Sequence, residues 1–292
     1  MSPLKVWLLA ARPPTLTAAV VPVLVGTAAA ARDGHIHLLP FLGALAAAVL
    51  IQVGTNFAND VFDYEHGADT SARLGPVRVT QSGLASPTAV RRAMLLAFGG
   101  AAAIGLYLTV VGGWPILVVG VLSIAAGVAY TGGPWPLGYH GLGDLFVFLF
   151  FGLVATAGSY YLQASALTAA ALGAAAVVGC TVTAILVVNN LRDLETDRRS
   201  GKRTLAVRLG DRRTRLQYAA LLLAPYALTA ALAAGGVLPW TALVAWFSLP
   251  VALVLVRAVL RGAAGPALNG VLKGTARLHL LLGLLLSGGL VL

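Results

Sequence analysis

Apolar residues in this chain gather into long runs separated by short polar breaks. The runs lie near 16–31, 38–58, 90–111, 114–130, 144–163, 168–191, 217–235, 238–256 and 277–292. A helix rising about 1.5 Å per residue needs roughly 17–25 apolar residues to cross the hydrocarbon core of a bilayer. The pattern predicts an all-α integral membrane protein of about nine helices, a single polytopic domain over 1–292. Arg32 to His37, Gly112-Gly113-Trp114-Pro115, and Gly235-Gly236 with Pro239 supply breaks of sensible chemistry. The break at 111–114 is so short that its two flanking runs could be one broken helix.

Composition agrees with the pattern. Of 292 residues 59% are hydrophobic and only 10% charged, against roughly a quarter charged in a soluble domain. Lipid must cover part of the surface. The net charge of +10 could point to nucleic acid, but the basic residues sit between the apolar runs and form neither a recognition helix nor a tail. The lone cysteine, Cys180, lies inside an apolar run and cannot make an intrachain disulfide or a thiolate metal site. Arg12, Pro13 and Pro14 lead into a long apolar run with no evident cleavage site, so no secretory signal is expected.

Nine spans put the N-terminus and the segments 59–91, 131–143, 192–216 and 257–277 on one side. Every Lys and Arg except Arg32 lies in those segments or at their edges, which places them on the cytoplasmic side. The acidic residues, Asp33 excepted, cluster at the same ends. The positive-inside bias does not account for that.

Two acidic segments carry the candidate chemistry. At the end of the second run stands Asn56-Phe-Ala-Asn59-Asp60-Val-Phe-Asp63; at the end of the sixth, Asn189-Asn-Leu-Arg192-Asp193-Leu-Glu195-Thr-Asp197. At about 100° per residue, Asn56, Asp60 and Asp63 share an arc of about 60°, and Asn189, Asp193 and Asp197 one of about 80°. Glu195 points elsewhere. Aligned carboxylates at a membrane boundary repel one another unless a cation lies between them, and oxygen donors suit Mg²⁺, which ordinarily shares its coordination with substrate phosphates. Two solvated helix ends with ordinary acids would be the plainer explanation, but the same Asn-x-x-x-Asp spacing recurs on both segments.

Basic residues follow each site, Arg73 and Arg78 after the first and Arg198 and Lys202 after the second, as binding a phosphorylated ligand would require. Topology alone would also make these loops basic. The segment from Tyr130 to Asp144 is rich in Pro, Gly and aromatics. Tyr130 and Tyr139 could line a pocket or stabilise a cation through their ring faces, or anchor the chain at the interface.

These residues resemble the UbiA superfamily of membrane prenyltransferases along nearly the whole chain. The resemblance rests on Asn56, Asp60 and Asp63 with Asn189, Asp193 and Asp197. Arg12-Pro-Pro-Thr-Leu16, Arg73 to Arg78, Gly141-Leu-Gly-Asp144, Gly158 to Gln163 and Gly201-Lys-Arg-Thr-Leu205 are similar to the branch that prenylates 1,4-dihydroxy-2-naphthoate in menaquinone synthesis. It implies helices around a central cavity, with Mg²⁺ held by the two acidic sets. It also implies a polyprenyl diphosphate donor and an aromatic acceptor that loses CO₂. The segment 131–143 has no Lys or Arg where some members of the superfamily carry a basic residue. Another aromatic acceptor, such as 4-hydroxybenzoate, is the nearest alternative reading. An ion-coupled transporter is an alternative of a different class, but its carboxylates would be expected near mid-membrane.

Overall fold

The structure is a computed structural model that describes residues 1–67 and 74–292. Among the described residues it is helical throughout, without a strand. Each apolar run has become a helix. They are α2 (Thr17–Arg32), α3 (Leu38–Glu65), α4 (Pro87–Gly112), α5 (Trp114–Ala129), α6 (Gly143–Ala164), α7 (Ala169–Arg192), α10 (Asp211–Ala234), α11 (Trp240–Leu260) and α12 (Ala267–Val291). A short α1 (Pro3–Ala11) precedes them, and α8 (Leu194–Arg199) and α9 (Leu205–Leu209) join α7 to α10.

The expected nine spans are an approximation. Seven of these helices are long and apolar enough to cross a membrane, and the segment Pro3–Thr15 with α2, bent by 49°, makes an eighth. The remaining run, α5, has 16 residues, about 24 Å at 1.5 Å per residue. It is an integral membrane protein. Gly113, at φ 73°, breaks the chain between α4 and α5, so the 111–114 boundary separates two helices.

Local chemistry fixes the ends. Ser86, Thr168 and Thr204 each accept a backbone N–H three residues on, from Ala89, Ala171 and Val207, closing a helix N-terminus whose first amides lack partners. The central helix is α7. Within its apolar window 78% of residues are buried by protein, against 28–50% in the other long spans, as expected of a helix that is apolar all round. Glycine lets its neighbours come close. A Cβ at Gly152 of α6 would lie 2.4 Å from the Cα of Gly179 of α7, a small-residue crossing of the kind that packs membrane helices. The same stretch of α6, Phe148–Val154, widens into a π-helical turn, a distortion that often marks functional sites.

Two boundaries move toward the polar side. The helix α3 runs to Glu65, seven residues past the expected end at 58, and α12 begins at Ala267, ten before 277. Polar helix ends continue the backbone ladder wherever protein or solvent satisfies their side chains.

Candidate active site

The extension of α3 puts the whole first acidic segment on a helix. The second spans the junction of α7 and α8, where Asp193 leaves regular helical geometry. The i to i+4 ladder nevertheless carries across it, from Asp193 N–H to Asn189 O at 3.1 Å and from Asp197 N–H to Asp193 O at 2.8 Å. Asn189, Asp193 and Asp197 therefore keep their common face.

That face and the end of α3 border one polar cavity with about 1230 Å³ of space inside and at its mouth. Asn56, Asp63, Asn189, Asp193 and Asp197 line it, as do Tyr130, Tyr139, Arg78 and Lys202. Asp63 is the most heavily bonded of the acids. Its Oδ2 accepts from Arg78 at 2.9 Å, and its Oδ1 from Lys202 at 2.9 Å and from the Tyr139 hydroxyl at 2.7 Å. Lys202 Nζ also lies 4.5 Å from the centroid of the Tyr139 ring. Asp193 is gripped by its neighbour: Arg192 donates from Nε to Oδ1 at 2.8 Å and from a second nitrogen to Oδ2, while also donating to Asn189 and Asn269.

Two expected site residues are elsewhere, and a third is not among the described residues. Asp60 is 1% exposed and borders none of the cavity; its oxygens accept the backbone N–H groups of Val79 and Thr80. Arg198 lies on the outer surface, 2.9 Å from Glu195, because the turn of α8 that points Asp197 inward points both of these outward. Arg73 lies outside the described residues, as does Asp69.

The cavity also contains residues that sequence reasoning passed over. Asn59 lines it and accepts from the Thr131 hydroxyl at 2.9 Å. Taking Asn56 as zero, Asn59 and Asp63 fall near −60° and −20° and Asp60 near +40° on an ideal helix. Two arcs of equal width were thus available, and the turn 78–80, packed on the Asp60 side, leaves the Asn59 side facing the cavity. Asn59-x-x-x-Asp63 is also a match to Asn189-x-x-x-Asp193, which is the signal that could have found it. Arg12, at φ 51° in the bend between α1 and α2, lines the cavity too. Its neighbourhood is set by Asn56, which donates to Ala11 O at 2.9 Å and Thr15 Oγ1 at 3.0 Å.

The segment 131–143 carries no Lys or Arg and is held by a later loop, through one backbone amide and one guanidinium. Arg203 N–H donates to Tyr139 O at 2.9 Å, and Arg208 donates to His140 O at 2.8 Å. His140 stacks on Trp135 with ring centres 4.1 Å apart, a structural placement.

Away from the polar end the cavity becomes apolar. Thr55, Tyr130, Val147 and Phe151 belong both to it and to an adjoining apolar chamber. That chamber in turn shares Ala48, Ile51, Ser123, Phe150 and Ala155 with a groove of about 1410 Å³ among α2 to α6. A ligand with a charged head and a long hydrocarbon tail fits such a passage.

The donors on the α3 side are Asn56, Asn59 and Asp63, and those on the α7–α8 side Asn189, Asp193 and Asp197. Among the described residues, no three Asp, Glu, His or Cys side chains converge closely enough to hold a metal by themselves. Hard oxygen donors, few on either side, fit a Mg²⁺ ion that takes part of its coordination from phosphate.

The UbiA prenyltransferase family model matches residues 19–268. The chain belongs to that family. This UbiA-family chain is 41% identical to the 1,4-dihydroxy-2-naphthoate octaprenyltransferase of Mycobacterium tuberculosis, across 97% of its own length and 96% of that protein's. It is 31% identical to the protein of the same name from Bacillus subtilis, across 96% and 90%. Among solved structures it is similar to a UbiA homologue from Aeropyrum pernix, with TM-score 0.69, 17% identity and coverage of 93% and 96%. A homologue from Archaeoglobus fulgidus, solved with GPP and Mg²⁺, gives TM-score 0.61 and 13% identity over 97% and 99%. At such identities the structures speak for the fold.

Proposed function

We propose that this chain, acting as one unit over 1–292, transfers a polyprenyl group from its diphosphate to 1,4-dihydroxy-2-naphthoate. Diphosphate and CO₂ leave, and demethylmenaquinol is formed. The observation that carries this reading is a cavity rich in carboxylates and cations that shares lining residues with an apolar chamber, which in turn shares others with an apolar groove. The identity to relatives named for that reaction supports the choice of acceptor.

In this reading Arg78 and Lys202 receive the diphosphate, and the prenyl tail lies past Tyr130 along α3, α5 and α6. Asn56, Asn59, Asp63, Asn189, Asp193 and Asp197 are the residues that would hold Mg²⁺, which when bound neutralises the leaving group and favours ionisation. The allylic C–O bond breaks with its electron pair going to the diphosphate, whose growing charge the two cations stabilise. Tyr130 and Tyr139 line the cavity where the allyl cation would form, and an aromatic face stabilises positive charge. Apolar walls keep water from that cation. The electron-rich naphthoate ring bonds the allylic carbon, and the pair released by departing CO₂ restores the ring. In this reading the polar end faces the cytoplasm from a bacterial inner membrane, a sidedness that the basic loops around it support.

The test is turnover by purified protein given polyprenyl diphosphate, Mg²⁺ and a panel of aromatic acceptors, read by mass spectrometry. Prenylated naphthoquinol with equimolar CO₂ is expected. A product from 4-hydroxybenzoate with none from the naphthoate would refute the acceptor while leaving prenyl transfer intact.

A further inference from the structure

Asp60 is a buried carboxylate in the centre of the first acidic segment, yet it borders no part of the cavity. Its oxygens are taken by two successive backbone amides, Oδ2 by Val79 N–H at 3.1 Å and Oδ1 by Thr80 N–H at 2.9 Å. Those amides begin a turn closed by further bonds. Ser82 donates from both its amide and its hydroxyl to Arg78 O, and Leu84 N–H donates to Val79 O at 2.9 Å. Val79 is fully buried and belongs to one apolar cluster with Phe57 and Val61 of α3. Immediately before Val79 comes Arg78, which reaches back to Asp63, three residues along α3 from Asp60.

The two aspartates thus grip adjacent parts of one segment. Asp60 holds the backbone just after Arg78, and Asp63 holds the Arg78 side chain. An ionised carboxylate only accepts, so it matches a pair of N–H donors; an amide in its place would set an NH₂ against one of them. Resting on the proposed function, we infer that Asp60 is a positioning residue: it fixes the 78–85 turn, and through Arg78 it sets affinity for the donor's diphosphate. It is not a metal ligand.

The experiment uses the full-length protein and Asp60→Asn, Arg78→Ala and the double variant. Amide hydrogen exchange of residues 78–85 is the first readout. Val79 and Thr80 should exchange at least about tenfold faster in Asp60→Asn, the scale of losing charge-assisted hydrogen bonds. The second is binding of inorganic diphosphate with Mg²⁺ by calorimetry, expected to weaken by about tenfold or more in each single variant. The double variant should bind no more weakly than Arg78→Ala alone, since Asp60 acts through Arg78. The half-saturating Mg²⁺ concentration for turnover should move by less than about twofold in Asp60→Asn but shift upward in Asp63→Asn.

A shift in Mg²⁺ dependence for Asp60→Asn as large as that of Asp63→Asn overturns the inference, and so do additive losses in the double variant. Should Asp60→Asn fail to fold, Arg78→Ala decides alone, because unchanged diphosphate binding there removes the route by which Asp60 would act. Wild-type protein that binds no diphosphate would instead overturn the proposed function and the affinity part of this inference with it, whereas unaltered exchange at Val79 and Thr80 would overturn the anchoring alone.

Discussion

Lys202 Nζ lies 2.9 Å from Asp63 Oδ1, joining the connection after α8 to the end of α3 across 139 residues of sequence. Both groups are largely buried, with side chains 12% and 4% exposed. One cation can therefore serve two anions, holding Asp63 in the absence of substrate and meeting a diphosphate when one enters. Lys202→Gln should lower kcat/KM for the prenyl donor by about 10–100-fold, the scale of one charge-assisted hydrogen bond. Steady-state kinetics with varied donor at saturating acceptor check this.

The carboxylates on the cavity face should matter far more than those off it. Asp63→Asn or Asp193→Asn removes a negative charge at almost constant shape, and each should slow turnover by about 10²–10³-fold. Glu195→Gln should stay near wild type, because Glu195 lies on the outer surface against Arg198 and exposed pairs contribute little. Rates of folded variants across a Mg²⁺ titration separate the two classes. A collapse confined to Glu195→Gln would reverse the assigned facing of α8.

Tyr139 combines a hydroxyl bonded to Asp63 with a ring beneath Lys202. Tyr139→Phe keeps the ring and should cost only a few-fold in rate, the value of roughly 1 kcal/mol for one hydrogen bond. Tyr139→Ala loses both and should fall well below Tyr139→Phe. Equal losses in the two variants would assign the whole effect to the hydroxyl.

The apolar passage makes a prediction about chain length. Ala48 belongs to both the inner chamber and the outer groove, so Ala48→Trp should block the way between them. Short donors such as dimethylallyl diphosphate should still react, while long polyprenyl diphosphates lose most of their turnover. Equal effects on short and long donors, by product mass spectrometry, would place the tail elsewhere.

Sidedness is testable without substrate. Ser200 is exposed after α8 and His35 is exposed between α2 and α3. Single cysteines at these positions, with Cys180→Ala as background, should react with an impermeant maleimide from opposite faces of the membrane. Ser200→Cys should label only in inverted vesicles. Labelling of both from one face would contradict the orientation.

The sequence by itself determined the membrane class, the approximate set of spans, the clustering of basic residues at one end and the two Asn-x-x-x-Asp segments. Each of these is local: transfer of apolar side chains to lipid is summed along a run, and facing repeats with the helical turn. Local rules could not choose between the Asn59 and Asp60 sides of α3, since both lie on arcs of equal width with Asn56 and Asp63. The choice came from the 78–85 turn, which covers one side and binds Asp60 through backbone amides that carry no mark in the sequence. Nor could local rules rank the basic residues. Arg198 and Lys202 stand four apart in one basic stretch, yet α8 turns the first to the surface and the bend after it brings the second onto Asp63. Partners of Asp63 come from 15, 76 and 139 residues away, and only the packing of α3 with the connections after α3, α5 and α8 brings them within hydrogen-bonding distance.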